Sequence, residues 1–222
     1  MDRHFDEELK DLKNDILKMG TFAEEAIYKS INALKERDGS LARRIIEDDA
    51  NVDRLELVVD EKCIDLIARH QPMAKDLRFI TTGMKINAEL ERIADIAVDI
   101  AQRVLELVDK PLLKPLVDIP KLTEVARNMV KMAIDSFVKG DIELAKKVLL
   151  SDPEADELRN KIQKELVEDY MIKDGSTSPR AVQLLLISRF LERICDHATN
   201  IAEDVIYLVQ AEVVRHHPEK LK

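Results

Sequence analysis

The apolar residues of this chain recur every three or four positions over long stretches. This spacing places them on one face of an α-helix, because a helix completes a turn in about 3.6 residues. In the first stretch the apolar positions are Leu12, Ile16, Met19, Ala23, Ala26 and Ala33. Five further stretches follow the same rule, so the pattern predicts six amphipathic helices.

Residues that interrupt the pattern set the expected helix limits. We expect helices from Leu9 to the turn at Asp38-Gly39-Ser40, from Ser40 to His70, from Phe79 to Val108, from Leu122 to Lys139, from Asp141 to Met171 and from Ser178 toward His216. Ser40 and Ser178 are the predicted N-caps of the second and sixth helices, and Pro179 suits the first position after a cap.

A proline-rich segment divides the chain. Residues 109–120 contain three prolines and cannot be helical throughout, because proline lacks the backbone N–H of a helix interior. We therefore expect one unit in residues 1–110 and a second in residues 111–222.

The two halves repeat each other. Leu41-Ala-Arg-Arg-Ile matches Leu144-Ala-Lys-Lys-Val at an offset of 103, and Leu90-Glu-Arg-Ile-Ala-Asp matches Leu191-Glu-Arg-Ile-Cys-Asp at an offset of 101. Two matched blocks in the same order predict an all-α protein of two tandem three-helix bundles. The register places Pro153 inside the fifth helix, so we expect a kink there; a break at Ser151–Asp152 is the less favoured alternative.

Composition and charge exclude several function classes. The five glycines are scattered, so no glycine-rich phosphate-binding motif is possible, and aromatic residues make up only 4% of the 222 residues. The net charge is −9, with 25 acids against 18 bases in residues 1–110. A duplex nucleic-acid partner is not expected, because binding to phosphates requires a basic face.

The cysteines and the start of the chain bear on the compartment. Cys63 and Cys195 stand alone, without a Cys-x-x-Cys pair, and are expected to be reduced core residues of a cytosolic protein. The first residues lack the apolar core of a signal peptide, and no apolar run reaches the length of a membrane span.

Acidic residues form ladders on four of the predicted helices. They are Glu91, Asp95 and Asp99 on the third, Glu192, Asp196 and Asn200 on the sixth, Asp49, Asp53, Glu56 and Asp60 on the second, and Asp152 and Asp156, followed by Arg159, on the fifth. Intervals of three or four residues place each ladder on one stripe of its helix. On the third and sixth helices this stripe lies well around from the apolar face, whereas on the second helix it runs beside the apolar stripe. Like charges at this spacing destabilise a helix, so a bound cation or a nearby arginine should offset them.

If the second and third helices pack antiparallel, their ladders converge. Carboxylate oxygens from two helices suit a hard divalent cation or iron, whereas zinc would favour His or Cys. The alternative is that the stripes are solvated faces neutralised by Arg92 and Arg193, which lie beside them. His197 falls on the apolar line of the sixth helix and is expected to be a core-edge residue with a hydrogen-bond partner.

Enzyme motifs are not found in the sequence. No Glu is followed three residues later by His, as in di-iron carboxylate bundles, and no Gly-x-Ser-x-Gly or His-Glu-x-x-His motif occurs. We therefore expect a protein that is not an enzyme.

Three segments resemble the PhoU family of phosphate-transport accessory proteins. They are Gln71-Pro-Met-Ala-Lys-Asp-Leu-Arg78, Lys85-Ile-Asn-Ala-Glu-Leu-Glu-Arg-Ile-Ala-Asp95 and the block from Leu184 to Tyr207. The resemblance extends over essentially the whole chain. It implies a pair of three-helix bundles and a cytoplasmic, non-catalytic regulator of phosphate uptake and of the phosphate-starvation response.

The resemblance also implies partners and a cofactor. The partners are the ATPase of the phosphate ABC transporter and a sensor histidine kinase, through which the protein is peripheral to the membrane; a homodimer is also expected. Divalent or iron cations are expected at the Glu-x-x-x-Asp motifs, carried over here to Glu91 with Asp95 and to Glu192 with Asp196. Asn200 has no charge, so the second site is expected to bind more weakly. The alternative is a structural helical adaptor without functional metal.

Overall fold

A computed structural model describes residues 3–212 of the chain, and all regular structure in this range is helical. The α-helices are α1 (Arg3–Glu36), α2 (Gly39–His70), α3 (Ala74–Leu105), α4 (Asp118–Lys139), α5 (Ile142–Glu165) and α6 (Ser178–Gln210). The six predicted helices are therefore confirmed. The sixth helix was predicted to run toward His216, but it ends at Gln210, because Ala211 takes a left-handed conformation as the C-cap. His216 itself lies outside the described residues.

The helices form two three-helix bundles that lie side by side. Helices α1, α2 and α3 pack together, α4, α5 and α6 do the same, and the bundles meet where α3 contacts α6 and α1 contacts α4. Each bundle is filled by fully buried side chains, among them Leu12 and Leu90 in the first and Leu122 and Met129 in the second. Burial of this apolar surface is the main stabilising contribution to a helical bundle.

The N-caps of α2 and α5 correspond in the repeat. Asp38 accepts a hydrogen bond from the Leu41 backbone N–H at 2.9 Å, and Asp141 accepts one from Leu144 at 3.0 Å. The prediction of Ser40 as the cap was wrong, because Asp38 already has the extended backbone that lets its carboxylate reach back to the first turn. Ser40 lies inside that turn.

The start of α6 also differs from the prediction. Thr177 is the N-cap residue, without a side-chain capping bond, and Ser178 is the first helical residue. Asp174 accepts a hydrogen bond from the Ser176 backbone N–H at 2.9 Å, which stabilises a 3₁₀ turn over Gly175–Thr177 directly before the helix. That turn takes the place of a conventional capping arrangement.

The structure differs from the prediction at the start of α4 and at the end of α5, and each of these helices contains a proline. Helix α4 begins at Asp118, four residues before the predicted Leu122, because Pro120 lies in the first turn, where no backbone N–H is required. Helix α5 continues through Pro153 without a break at Ser151–Asp152. It ends earlier than the predicted Met171, since Leu166–Met171 form a π-helical turn.

Close helix approach fixes how the bundles meet. A Cβ atom on Gly20 of α1 would lie 2.5 Å from Cδ1 of Ile134 on α4, so the absence of a side chain at this position permits the contact. Phe79 of α3 and Phe137 of α4 stack with ring centroids 5.4 Å apart. Arg37, between α1 and α2, donates to the carbonyl oxygens of Val108 and Lys110 and so holds the start of the connecting segment.

The cap assignment can be tested by substitution. Asp38→Ala should lower the free energy of unfolding by about 1 kcal/mol, because an N-terminal backbone N–H of α2 loses its acceptor. Ser40→Ala should change it by less than about 0.5 kcal/mol. Urea denaturation measures both, and equal losses in the two variants would contradict Asp38 as the cap.

Candidate metal centre

Three aspartates from two helices converge on the surface of the first bundle. Asp49 and Asp53 of α2 and Asp95 of α3 each offer a carboxylate oxygen, and these oxygens all lie within 4.8 Å of one another. Hard cations hold carboxylate oxygens at about 2.0–2.6 Å, so oxygens on opposite sides of an ion are separated by about 4 to 5 Å. The antiparallel packing of α2 and α3 therefore brings the two predicted ladders to a spacing that suits one cation.

The charges of this first cluster oppose one another. Burial, together with the charges of Asp53 and Asp95, raises the pKa of Asp49 to about 6. Burial, followed by repulsion from Asp53 and Asp99, also raises the pKa of Asp95. These carboxylates resist ionisation together, which is the electrostatic condition that a bound cation relieves.

Further carboxylates extend the cluster along both helices. Burial raises the pKa of Glu91, and the charges of Asp95, Glu56 and Asp53 add to that effect. Burial also raises the pKa of Glu56, with repulsion from Asp60 next in size. The acidic surface is thus larger than the three aspartates at its centre.

Arg92 does not provide the main counter-charge of the first cluster. Its Nη1 donates to Oε1 of Glu89 at 2.9 Å, whereas its effect on Glu91 is the smallest of those acting on that carboxyl group. The arginine alternative raised by the sequence is therefore not favoured for this cluster.

A second cluster occupies the equivalent surface of the other bundle. Burial, together with the charges of Glu192, Asp152 and Asp156, raises the pKa of Asp196 of α6 to about 6. Burial and repulsion from Asp156 and Glu192 likewise raise the pKa of Asp152. The predicted ladders of α5 and α6 are thus electrostatically coupled.

The second cluster contains its own cation. Nη2 of Arg159 lies 3.2 Å from Oδ1 of Asp156 and 3.3 Å from Oε1 of Glu192. With the repeat offset of 103, residue 159 corresponds to residue 56, which is Glu56 in the first bundle. The same position therefore adds a negative charge to one cluster and a positive charge to the other.

Asn200 contacts a group that the sequence interpretation missed. Its Nδ2 donates to Oε2 of Glu89 at 3.0 Å, and Nδ1 of His197 lies 2.7 Å from the same oxygen. The predicted hydrogen-bond partner of His197 is therefore Glu89, across the α3–α6 contact. The available signal was the position of Glu89 three residues after Ile86, on the apolar face of α3.

Neither cysteine is among the side chains that converge in the first cluster. Both are buried and free, and burial raises the pKa of the Cys63 thiol to about 12. Burial also raises the pKa of Cys195. The donor set of the first cluster consists of oxygens, which is the set that hard cations prefer.

None of the helices within residues 3–212 combines the length and the apolarity that a bilayer-crossing segment requires.

Comparisons with known proteins cover nearly the entire chain. The family model described as "PhoU domain" matches twice, at residues 16–104 and 119–205. A phosphate-specific transport system accessory protein PhoU homolog from Aquifex aeolicus is 40% identical over 215 residues, which is 97% of each chain. PhoU homolog 2 from Thermotoga maritima is 37% identical over 221 residues, covering 100% of this chain and 94% of that protein.

Solved structures agree with these sequence matches. The crystal structure of PhoU from Pseudomonas aeruginosa superimposes with a TM-score of 0.89 at 36% identity, covering 94% of this chain and 100% of that one. The phosphate transport system regulatory protein PhoU from Streptococcus pneumoniae gives a TM-score of 0.88 at 28% identity, with coverage of 95% and 99%.

The pKa shifts predict an unusual pH dependence of stability in the presence of chelator. The pKa values of Asp49 and Asp196 are raised from 3.8 to about 6 on folding, so their contribution to stability is fully present below about pH 3.8 and is lost as the pH rises through 6. The melting temperature should therefore increase when the pH is lowered from 7 to 5.

Substitution identifies the groups responsible for this effect. Asp49→Asn should raise the free energy of unfolding at pH 7 by about 1 kcal/mol, after allowance for solvent screening, and should reduce the pH dependence. Asp11→Asn removes an exposed carboxylate from α1 and serves as the control. A wild-type protein that melts no higher at pH 5 than at pH 7 would contradict the electrostatic description of the clusters.

Proposed function

The chain belongs to the PhoU family, and from that premise we propose that it is a regulator of phosphate transport and phosphate-starvation signalling that acts as a metal-binding adaptor. Two relatives are named accessory proteins of the phosphate-specific transport system. The adaptor would work in the cytoplasm with the ATPase of the phosphate ABC transporter and with the sensor histidine kinase. It would not require catalysis or nucleic acid.

The convergence of Asp49, Asp53 and Asp95 is the observation that carries the metal-binding part of this proposal. Three carboxylates from two helices are held together although the charges of Asp53 and Asp95 raise the pKa of Asp49 and the charge of Asp53 raises that of Asp95. A divalent cation or iron fits this donor set, since its oxygens are hard ligands. Glu91 and Asp99 flank the three aspartates and extend the same donor chemistry along α3.

A bound cation would change what the acidic surface attracts. Three ionised aspartates carry a charge of about −3, and a divalent cation among them reduces it to about −1. A basic partner surface is attracted to the first state more strongly than to the second, so occupancy would select among partner surfaces. The helices of the bundle hold the carboxylates in place, and the bound cation determines the net charge of this surface.

The two clusters would respond differently to cations. Arg159 already partly neutralises Asp156 and Glu192, whereas the first cluster has Glu56 at the corresponding position. A cation entering the second cluster would have to approach the charge of the guanidinium group. The weaker binding expected for the second cluster thus has a second cause besides the missing charge of Asn200.

The alternative function is a structural adaptor without functional metal. The contacts of Arg159 favour it for the second cluster, because they offset acidic repulsion without a metal ion. Under this alternative the acidic surfaces keep the protein soluble, and partners bind elsewhere. We retain a homodimer as part of either proposal.

Substitutions in the two clusters should affect Mn²⁺ binding to different degrees. The measurement is a calorimetric titration of chelator-treated protein with Mn²⁺. Asp95→Asn should weaken Mn²⁺ binding at least about 10-fold, because it removes a metal ligand, and even the loss of a residue that only supports a ligand costs about that much. Asp196→Asn should have a smaller effect, since the second cluster is already charge-compensated. Arg159→Gln should strengthen binding at the second cluster by removing the competing charge.

Two results of the Mn²⁺ titration would contradict the proposal. Equal Mn²⁺ binding by the wild type and by the Asp95→Asn and Asp196→Asn variants would exclude both clusters as metal sites. An unchanged isotherm for Arg159→Gln would contradict the proposed role of the arginine.

Partner recovery tests the regulatory proposal. Pull-down from cells grown at high and low phosphate should recover the transporter ATPase and the sensor kinase with wild-type protein. Replacing Asp49, Asp53 and Asp95 together by Asn should reduce recovery several-fold, while the Asp11→Asn control should not, because only the former changes the proposed cation site.

Two results would count against the adaptor proposal. Failure to recover either partner under both conditions would contradict the regulatory function. Undiminished recovery by the triple variant, together with higher thermal stability, would favour the structural alternative.

A further inference from the structure

A hollow opens between α1 and α2 beside the first acidic cluster. Its volume is about 490 Å³, which lies within the range of about 300–1,000 Å³ typical of small-molecule sites. Its apolar lining comes from three helices and includes Phe22, Ala26, Val52, Leu55, Val58 and Val98. The hollow therefore offers an apolar surface large enough for a ring system or a short alkyl chain.

Two cations on opposite walls of this hollow lack a carboxylate partner. Lys18 of α1 and Arg54 of α2 are exposed, and neither forms an ion pair with any residue that the structure describes. The Nζ atom of Lys18 instead lies 5.7 Å from the centroid of the Phe22 ring. By contrast, Lys29 on the same wall as Lys18 is paired with Glu25 at 2.8 Å.

The charged residues that line the hollow determine where an anionic group can bind. Asp48 and Asp49 also line it, and Asp49 belongs to the first acidic cluster. An anionic group would be repelled by these aspartates and attracted by Lys18 and Arg54. Arg54 is the better anchor for such a group, because guanidinium forms paired hydrogen bonds with carboxylate or phosphate.

The neighbouring surface is unsuited to an anion. Beyond Val58 a second hollow of about 460 Å³ is lined by Glu8, Asp11, Glu61 and Asp65. Its cations are already paired, Lys62 with Asp15 and Arg69 with Glu8 and Asp65. Among the cations that line these two hollows, Lys18 and Arg54 are therefore the two without an ion pair to a described residue.

We propose that the first hollow binds a small organic anion with an apolar body. The apolar part lies on Phe22, Ala26 and Leu55, and the anionic group lies between Lys18 and Arg54. Such binding goes beyond the proposed regulatory function and does not need a cation in the acidic cluster. It would place an organic effector next to Asp49.

A pair of matched fluorescent probes tests this proposal in buffer containing EDTA. 8-Anilinonaphthalene-1-sulfonate carries an anionic group, and N-phenyl-1-naphthylamine has the same skeleton without it. The wild-type protein should bind the sulfonate one-to-one with a blue-shifted emission. Lys18→Gln combined with Arg54→Gln should weaken sulfonate binding about 10-fold and binding of the uncharged probe less than about twofold, since only the former uses charge-assisted contacts.

Matched variants separate the hollow from the rest of the surface. Ala26→Trp should abolish binding of both probes by filling the hollow, whereas Val182→Trp adds the same side chain at an exposed position of α6 and should not. Lys147→Gln, on the exposed face of α5, controls for loss of a positive charge. Circular dichroism verifies that each variant is folded.

Each result supports or overturns the proposal. Absence of saturable sulfonate binding by the wild type would overturn it, as would equal losses for both probes in the Lys18→Gln/Arg54→Gln variant. Equal effects of Lys147→Gln and the double variant would show that binding is not confined to the hollow. If Ala26→Trp fails to fold, the double variant alone still decides the matter.

Discussion

A single buried carboxylate connects the two bundles at the contact between α3 and α6. Glu89 is only 7% exposed, and a charge at such a depth is costly unless hydrogen bonds replace its water. Burial opposes its ionisation, but hydrogen bonds from His197 and Asn200 outweigh that effect and lower the pKa of Glu89. Since Glu91 and Asp95 share a helix with Glu89, and Asp196 is adjacent to His197, this interaction ties together the helices that carry the two acidic clusters.

Much of the fold follows from local sequence. Periodic apolar residues indicate six helices because each helix must bury one face, and the repeated blocks indicate two bundles because both halves meet the same packing requirement. The exact first residue of each helix is harder to predict from the sequence. Asp38 and Ser40 are both good capping residues, and the choice between them depends on backbone angles that composition does not encode.

The sequence predicts which acidic residues form the candidate site, but it does not predict which side chains from other helices pair with them. Asp49, Asp53 and Asp95 converge because ladder spacing and antiparallel packing together determine which carboxylates face each other. The contacts of Arg159 and Glu89 join different helices, and the pairing of Arg159 with Glu192 depends on side-chain conformation rather than on spacing along the chain. The repeat keeps four of the acids, since Asp49, Asp53, Glu91 and Asp95 recur as Asp152, Asp156, Glu192 and Asp196. Glu56 and Asp99 instead correspond to Arg159 and Asn200, so the two halves share a fold and differ in electrostatics.

The missing side chain at Gly20 has a consequence for how such a molecule can transmit information. Where α1 crosses α4, the helices meet backbone against side chain at Ile134, and the stacked rings of Phe79 and Phe137 close the junction nearby. A hinge motion between the bundles would expose these apolar groups to water, at a cost of several kcal/mol by the usual relation between area and free energy. The contact between the bundles therefore resists bending, and a hinge motion at this junction is disfavoured.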